Sequence, residues 1–238
     1  MTEQEWLESP NAVEMVNHLW RQRVCRVTAR KLRLLACACP RRIWPRLSVE
    51  GRHLVEIAKL QADGLRSAAD LAAVRLPYIS HQDSYQHAPY YAVFCATGPG
   101  VELRGCMESV LAYSVYSVRA RVNDEHGYDA FIGTKACSES VAQSCLVREV
   151  FRYPFRPLSV ELAWLTANVV GIARLIYADR AFDRLPILAD ALEDAGCTNA
   201  DILNHCRQPG EHVRGCWAVE TMPRPSGWTA ARHGGKRV

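Results

Sequence analysis

Apolar residues recur along most of this chain at intervals of three and four, the spacing that gives a helix one buried face. Val13, Val16, Leu19 and Trp20 form the first such stripe, behind Ser9-Pro10, which reads as an N-cap and a first-turn proline. Thr28 caps a second helix, in which Leu32, Leu35, Ala36, Cys39 and Ile43 share a face. Pro40 interrupts that stripe and predicts a kink or a split, because it has no N–H to donate and its ring clashes with the carbonyl of Ala36. Ser48 opens a third helix through Leu54, Ile57 and Ala58, and Gly64 is placed to end it. Ser67 with Asp70 makes a variant of the capping box, starting a short helix that is expected to stop before Pro77.

From 77 to 137 the pattern is weakest. Residues 102–122 read as one helix with Leu103, Cys106, Val110, Tyr113 and Ser117 on a face, while Val115, Tyr116 and Val118 suit a strand equally well. A polar loop is expected over 123–133. Ser138 then begins a helix with Val141, Cys145, Leu146 and Val150 inward, ending at FRYPFRP (151–157), an extended connector and a candidate subdomain boundary. Thr166 caps a helix carrying Val169, Val170, Ala173, Ile176 and Tyr177. Asp183 is expected to cap the next, with Pro186 in its first turn, Leu185, Leu188, Ala189 and Leu192 inward, and Gly196 as terminator. Thr198 and Asp201 mark a further start, Pro209-Gly210 a break, and His212 to Val219 a last short helix. These elements predict an all-α fold, an irregular bundle of short helices with room for a minor strand in the middle. The segments are a basic helical one (1–76), the middle (77–137), a C-terminal helical one (138–220) and a disordered basic tail (221–238), expected to form one compact domain plus the tail.

Composition changes this picture little. Of 238 residues 49% are hydrophobic and 23% charged, ordinary for a globular chain, and a net charge of +4 does not by itself call for a polyanionic partner. The start, MTEQEWLESPNAVEMV, is acidic where a signal peptide is basic, and no apolar run approaches the roughly 20 residues that span a bilayer. A soluble, cytoplasmic protein without membrane partners is expected. The ten cysteines are scattered through helical segments, so reduced, buried thiols are expected rather than a disulfide framework.

Charge and cysteine do nominate two sites. Arg21, Arg23, Arg26, Arg30, Lys31, Arg33, Arg41, Arg42 and Arg46 fall in a stretch with no Asp or Glu, the footprint of a nucleic-acid surface or of a helix face that pairs with acids elsewhere. The modest net charge and the lack of interleaved aromatics favour the second reading. Cys197, His205, Cys206, His212 and Cys216 offer the thiolate and imidazole donors of zinc, and a helical His212 and Cys216 would share a face. The tight C-x2-C knuckle is missing, so core cysteines are the simpler reading. His81, His87 and His126 lie in polar loops beside Asp83, Asp124 and Asp129, where histidines are usually solvated. G-x-S-x-G, a Walker loop, H-E-x-x-H and a dinucleotide fingerprint are all absent, so catalysis has no sequence support.

The wording of REVFRYPFRPLSVELAWLTANVV, IYADRAFDRLPILADALEDAGC and ILNHCRQPGEHVRGCW resembles a family of uncharacterised bacterial proteins. In that family a segment similar to WLES…RKLRLLACACPRRIW comes first, and the middle is variable, commonly alanine-rich and helical. The resemblance implies helix for 102–122 and no catalytic residue, since the family has no assigned activity. Pro40 stands where a cysteine is usual, and the PRPSGW tail replaces an apolar helix end. The resulting expectation is a non-enzymatic interaction or regulatory module with an unidentified protein partner and no cofactor. Two alternatives stand beside it: a small zinc-stabilised module around Cys206, His212 and Cys216, and a nucleic-acid binder using 21–46.

Overall fold

The structure is a computed structural model and describes residues 1–21, 27–80, 88–119, 130–156 and 158–222. Arg23, Arg26, the loop histidines and aspartates at 81–87 and 124–129, and the tail from 223 on lie outside the described residues. Every regular element among the described residues is helical, so the fold is all-α and the minor strand is absent there. The chain forms two compact units, Met1–Arg156 and Pro157–Val238.

The first unit holds α1 (Glu3–Glu8), α2 (Ala12–Arg21), α3 (Ala29–Arg42), α4 (Val49–Ala62), α5 (Ala68–Ser80), α6 (Ala88–Ala96), α7 (Gly100–Arg119) and α8 (Ala130–Phe151). Helix α1 was not foreseen; Thr2 and Glu5 start it with a reciprocal capping box. Ser9 ends that helix instead of capping the next, and Asn11 caps α2 by accepting from the Glu14 N–H at 3.1 Å. Thr28, Ser48 and the Ser67/Asp70 pair do cap the helices expected of them.

Two proline expectations need correcting. Helix α3 runs past Pro40 to Arg42 rather than splitting there, although Pro40 has no N–H for the carbonyl of the buried Ala36. Helix α5 runs through Pro77 to Ser80; Pro77 and Ala73, whose carbonyl loses that donor, are both exposed, so the carbonyl is open to solvent.

Helix α3 is the centre of the unit, packing against α4, α6, α7 and α8. Every residue from Leu32 to Pro40 is buried, so the expected stripe is a helix covered all round. Burial pushes the Cys37 thiol up to about 11 and Cys39 higher still, which leaves both inert. The one charged residue of this stretch, Arg33, donates to the Ala96 carbonyl at 2.7 Å and to that of Gly98. Ala96 is the last residue of α6, at the negative end of its dipole, and Gly98 lies in the turn that follows.

The inward faces of α7 and α8 differ from expectation. Met107, Val110, Leu111, Ser114 and Ser117 are buried in α7, and Glu139, Gln143, Ser144, Leu146, Val147 and Val150 in α8. Val141 and Cys145 point outward, Val141 being 43% exposed. The buried face of α8 is partly polar, with Gln143 donating to the Leu111 carbonyl at 3.1 Å, and a hydrophobic-only pattern misreads such a face. After α8 the described residues 152–156 hold Arg152 at a φ of 57° and a turn at Pro154 and Phe155, rather than a run of extended chain.

The second unit holds α9 (Ala167–Asp179), α10 (Leu185–Asp194), α11 (Ala200–Arg207) and α12 (Trp217–Glu220) around one apolar core that includes Val169, Ile176, Leu188, Leu192, Ile202 and Val219. Thr166 caps α9 as expected. Asp183 does not cap α10: it lies in a 3-10 turn, Phe182–Arg184, that leads directly into Leu185, and Pro186 takes the first turn. Gly196, at a φ of 85°, ends α10 in a Schellman turn, with the Cys197 N–H on the Leu192 carbonyl and the Gly196 N–H on that of Glu193. Arg207 of α11 clamps Asp190 and Glu193 of α10.

Two predictions follow from the first unit's packing. Arg33→Leu strands two buried carbonyls and should lower unfolding stability by about 2–4 kcal/mol in denaturant titration. His18 is 7% exposed, stacks on Phe155 at 5.4 Å, and its Nε2 has no hydrogen-bond partner among the described residues. Burial lowers its pKa, the Met1 ammonium and Arg21 add to this, and Glu5 opposes it. The unfolded chain therefore takes up the proton first. Stability should fall as pH drops below about 6.5, with the slope reduced in His18→Leu.

Candidate metal centre

The five zinc-type side chains of the second unit are separated by the way its helices stop. Asn199, one residue beyond the expected Thr198, caps α11 by accepting from the Ile202 N–H at 3.2 Å. That register turns Ile202, Leu203 and Cys206 into the core, and Cys206 is 1% exposed. Cys197 sits in the same core just after the Schellman turn, where burial raises its thiol pKa. Both are packing cysteines.

His205 lies on the last turn of α11. Pro209 disfavours the helical conformation at Gln208, whose ψ of 140° ends the helix at Arg207. The expected helix from His212 is not formed; residues 211–216 run as loop and turn, and α12 starts only at Trp217. Gly215, at a φ of 97°, closes a turn in which the Cys216 N–H donates to the Val213 carbonyl at 2.9 Å. The shared helix face argued for His212 and Cys216 is thus wrong, and the turn brings them together instead.

The ligand atoms of His205, His212 and Cys216 lie within 4.8 Å of one another. His205 Nε2 is 3.3 Å from Cys216 Sγ, with His205 8% and Cys216 0% exposed. Zinc bonds of about 2.0–2.1 Å to nitrogen and 2.3 Å to sulfur in a tetrahedron set the N···S edge at about 3.6 Å, so this pair stands close to zinc-ligand spacing. The His205 and His212 rings meet edge-on at 5.1 Å and 80°, and Trp217 packs on His205 with centroids 4.6 Å apart. Gln208, which sequence reasoning passed over, touches both histidines: its side-chain Nε2 is 3.1 Å from His205 Nδ1, and its carbonyl 3.5 Å from His212 Nε2. The only sequence signal for it was its place before the helix-breaking Pro209. A cleft of about 450 Å3 between residues 180–186 and 206–212 reaches His212 and Gln208, giving an ion a route in.

The basic segment has a different fate. Arg33 is buried, Arg30 pairs with Asp63 at 2.7 Å, Arg41 with Glu56 at 2.9 Å, and Arg42 with Glu139 at 3.1 Å. Lys31 donates to the Val150 carbonyl at 3.2 Å. Arg21 is exposed at the end of α2, and Arg46 is half-buried. Most of the described charges in this stretch are engaged within the fold.

No family model matches the chain, and neither does any curated protein or solved structure. The functional reading rests on the chemistry of the group itself.

The geometry separates the cysteines cleanly. Cobalt-loaded protein should show a thiolate-to-metal charge-transfer band that Cys216→Ala removes and that Cys197→Ala and Cys206→Ala retain. Loss of the band in either core variant, with Cys216→Ala unaffected, would contradict this placement.

Proposed function

We propose that the protein is a non-enzymatic helical module whose C-terminal unit is held together by one zinc ion on His205, His212 and Cys216. The carrying observation is the approach of these three donors to within 4.8 Å of one another. One thiolate and two imidazoles suit zinc better than the hard, oxygen-seeking cations. A structural role fits a unit built of short helices around one apolar core, since small domains commonly add a metal. The segment that benefits is 208–216, which has no regular secondary structure to hold it.

The module's partner is expected to be another protein. Leu162, 86% exposed, with Leu175 and Ile187 gives the unit apolar contact points. The nucleic-acid alternative finds less support, since Arg30, Arg33, Arg41 and Arg42 already have partners in the fold.

Elemental analysis of the purified full-length chain should find about one zinc per molecule. Stripping the metal should lower the unfolding midpoint, and returning zinc at a thousand times its dissociation constant should restore about 4 kcal/mol. Absence of stoichiometric zinc, together with a midpoint indifferent to added zinc, would end the proposal.

A further inference from the structure

We infer that Gln208 is the positioning residue of this centre, holding the ring of His205 in either tautomer and fixing the aim of His212. The inference rests on the zinc reading above and adds to it the residue that makes the two imidazoles competent ligands. Metal-bound histidines characteristically donate their other ring N–H to a carboxylate, a carbonyl or water, which fixes the ring and raises its basicity. Here a single residue faces both rings, with its side chain at His205 Nδ1 (3.1 Å) and its main-chain carbonyl at His212 Nε2 (3.5 Å).

The two contacts do different work. The carbonyl accepts from His212 Nε2–H, which assigns Nδ1 of that ring to the metal. Pro209 holds this carbonyl in place by keeping Gln208 extended, so the contact does not depend on the Gln208 side chain. At His205 the side chain decides. Nε2 is the atom facing Cys216 Sγ, so zinc must bind there, and the ring proton must then sit on Nδ1. A carboxamide has an acceptor end as well as a donor end. With zinc bound, Nδ1–H donates to Gln208 Oε1; without zinc, Nε2 carries the proton and Nδ1 accepts from Gln208 Nε2–H. Glutamine thus serves both tautomers by turning its amide over, and the metal can come and go without stranding either ring nitrogen. A glutamate at this position would accept only, and would favour the metal-binding tautomer alone.

Gln208 is exposed and follows the last helical residue, so truncating it opens no cavity and leaves the His212 contact intact. The test compares wild type, Gln208→Ala and Gln208→Glu as full-length proteins. Zinc affinity is read by competition with a chromogenic chelator, and ligand geometry by the visible spectrum of the cobalt forms. Gln208→Ala should bind zinc roughly 10–100-fold more weakly, with an altered cobalt spectrum. Gln208→Glu should match wild type or bind more tightly, with the wild-type spectrum. Equal affinity in wild type and Gln208→Ala, or a Gln208→Glu as weak as Gln208→Ala, would overturn the inference while leaving the site standing. A wild type that takes up no zinc would remove the site itself, and this inference with it.

Discussion

One buried cation organises the first unit. Helix α3 is covered on every side, and at its centre stands Arg33, a group that stays charged in any protein interior. A guanidinium so placed must find acceptors, and it finds them in the carbonyls of Ala96, the last residue of α6, and Gly98, in the turn that follows. That demand fixes where α6 ends relative to α3 and how the chain turns into α7. Cys37, on the same helix as Arg33, packs with Leu54, Val55 and Val93 in one buried apolar cluster. A hydrophobic side chain in place of Arg33 would pack, but would leave those carbonyls without a donor.

The second unit is governed by how its helices stop. Gly196 closes α10 and buries Cys197; Pro209 ends α11 just after His205; Gly215 turns the chain so that Cys216 comes back beneath that histidine. Each stop has an ordinary backbone cause: a left-handed residue, a proline's restriction on its neighbour, a tight turn. Their combined effect is to gather one thiol and two imidazoles, with Trp217 over one face of His205. A site built from helix ends and a turn has few hydrogen bonds of its own to hold it.

Legibility tracked the range of the interaction. Caps and terminators act within about four residues, and Thr28, Ser48, Ser67, Thr166 and Gly196 are all where the pattern places them. Failures came where two local signals competed or where the deciding contact was remote. Ser9 and Asn11 both suit a cap, and only the path of α1 selects Asn11. The inward face of α8 was misjudged because Gln143 and Glu139 are buried by partners more than 30 residues away. Both helices continue through their prolines: at Pro77 the carbonyl that loses its donor is exposed, whereas at Pro40 it is that of the buried Ala36, and the packing around α3 overrides the local signal.

The candidate site divides along the same line. That this stretch holds a thiol- and imidazole-rich group was plain from the residues, and so was the all-helical class, because periodicity and capping are local and determined by side-chain type. Which of the five donors converge was not. His212 and Cys216 meet through a turn that the helical spacing argued against, while Cys197 and Cys206 disappear into the core. Tertiary structure alone chose His205, His212 and Cys216, and put Gln208 against both rings, because those distances depend on where three separate chain reversals fall in space.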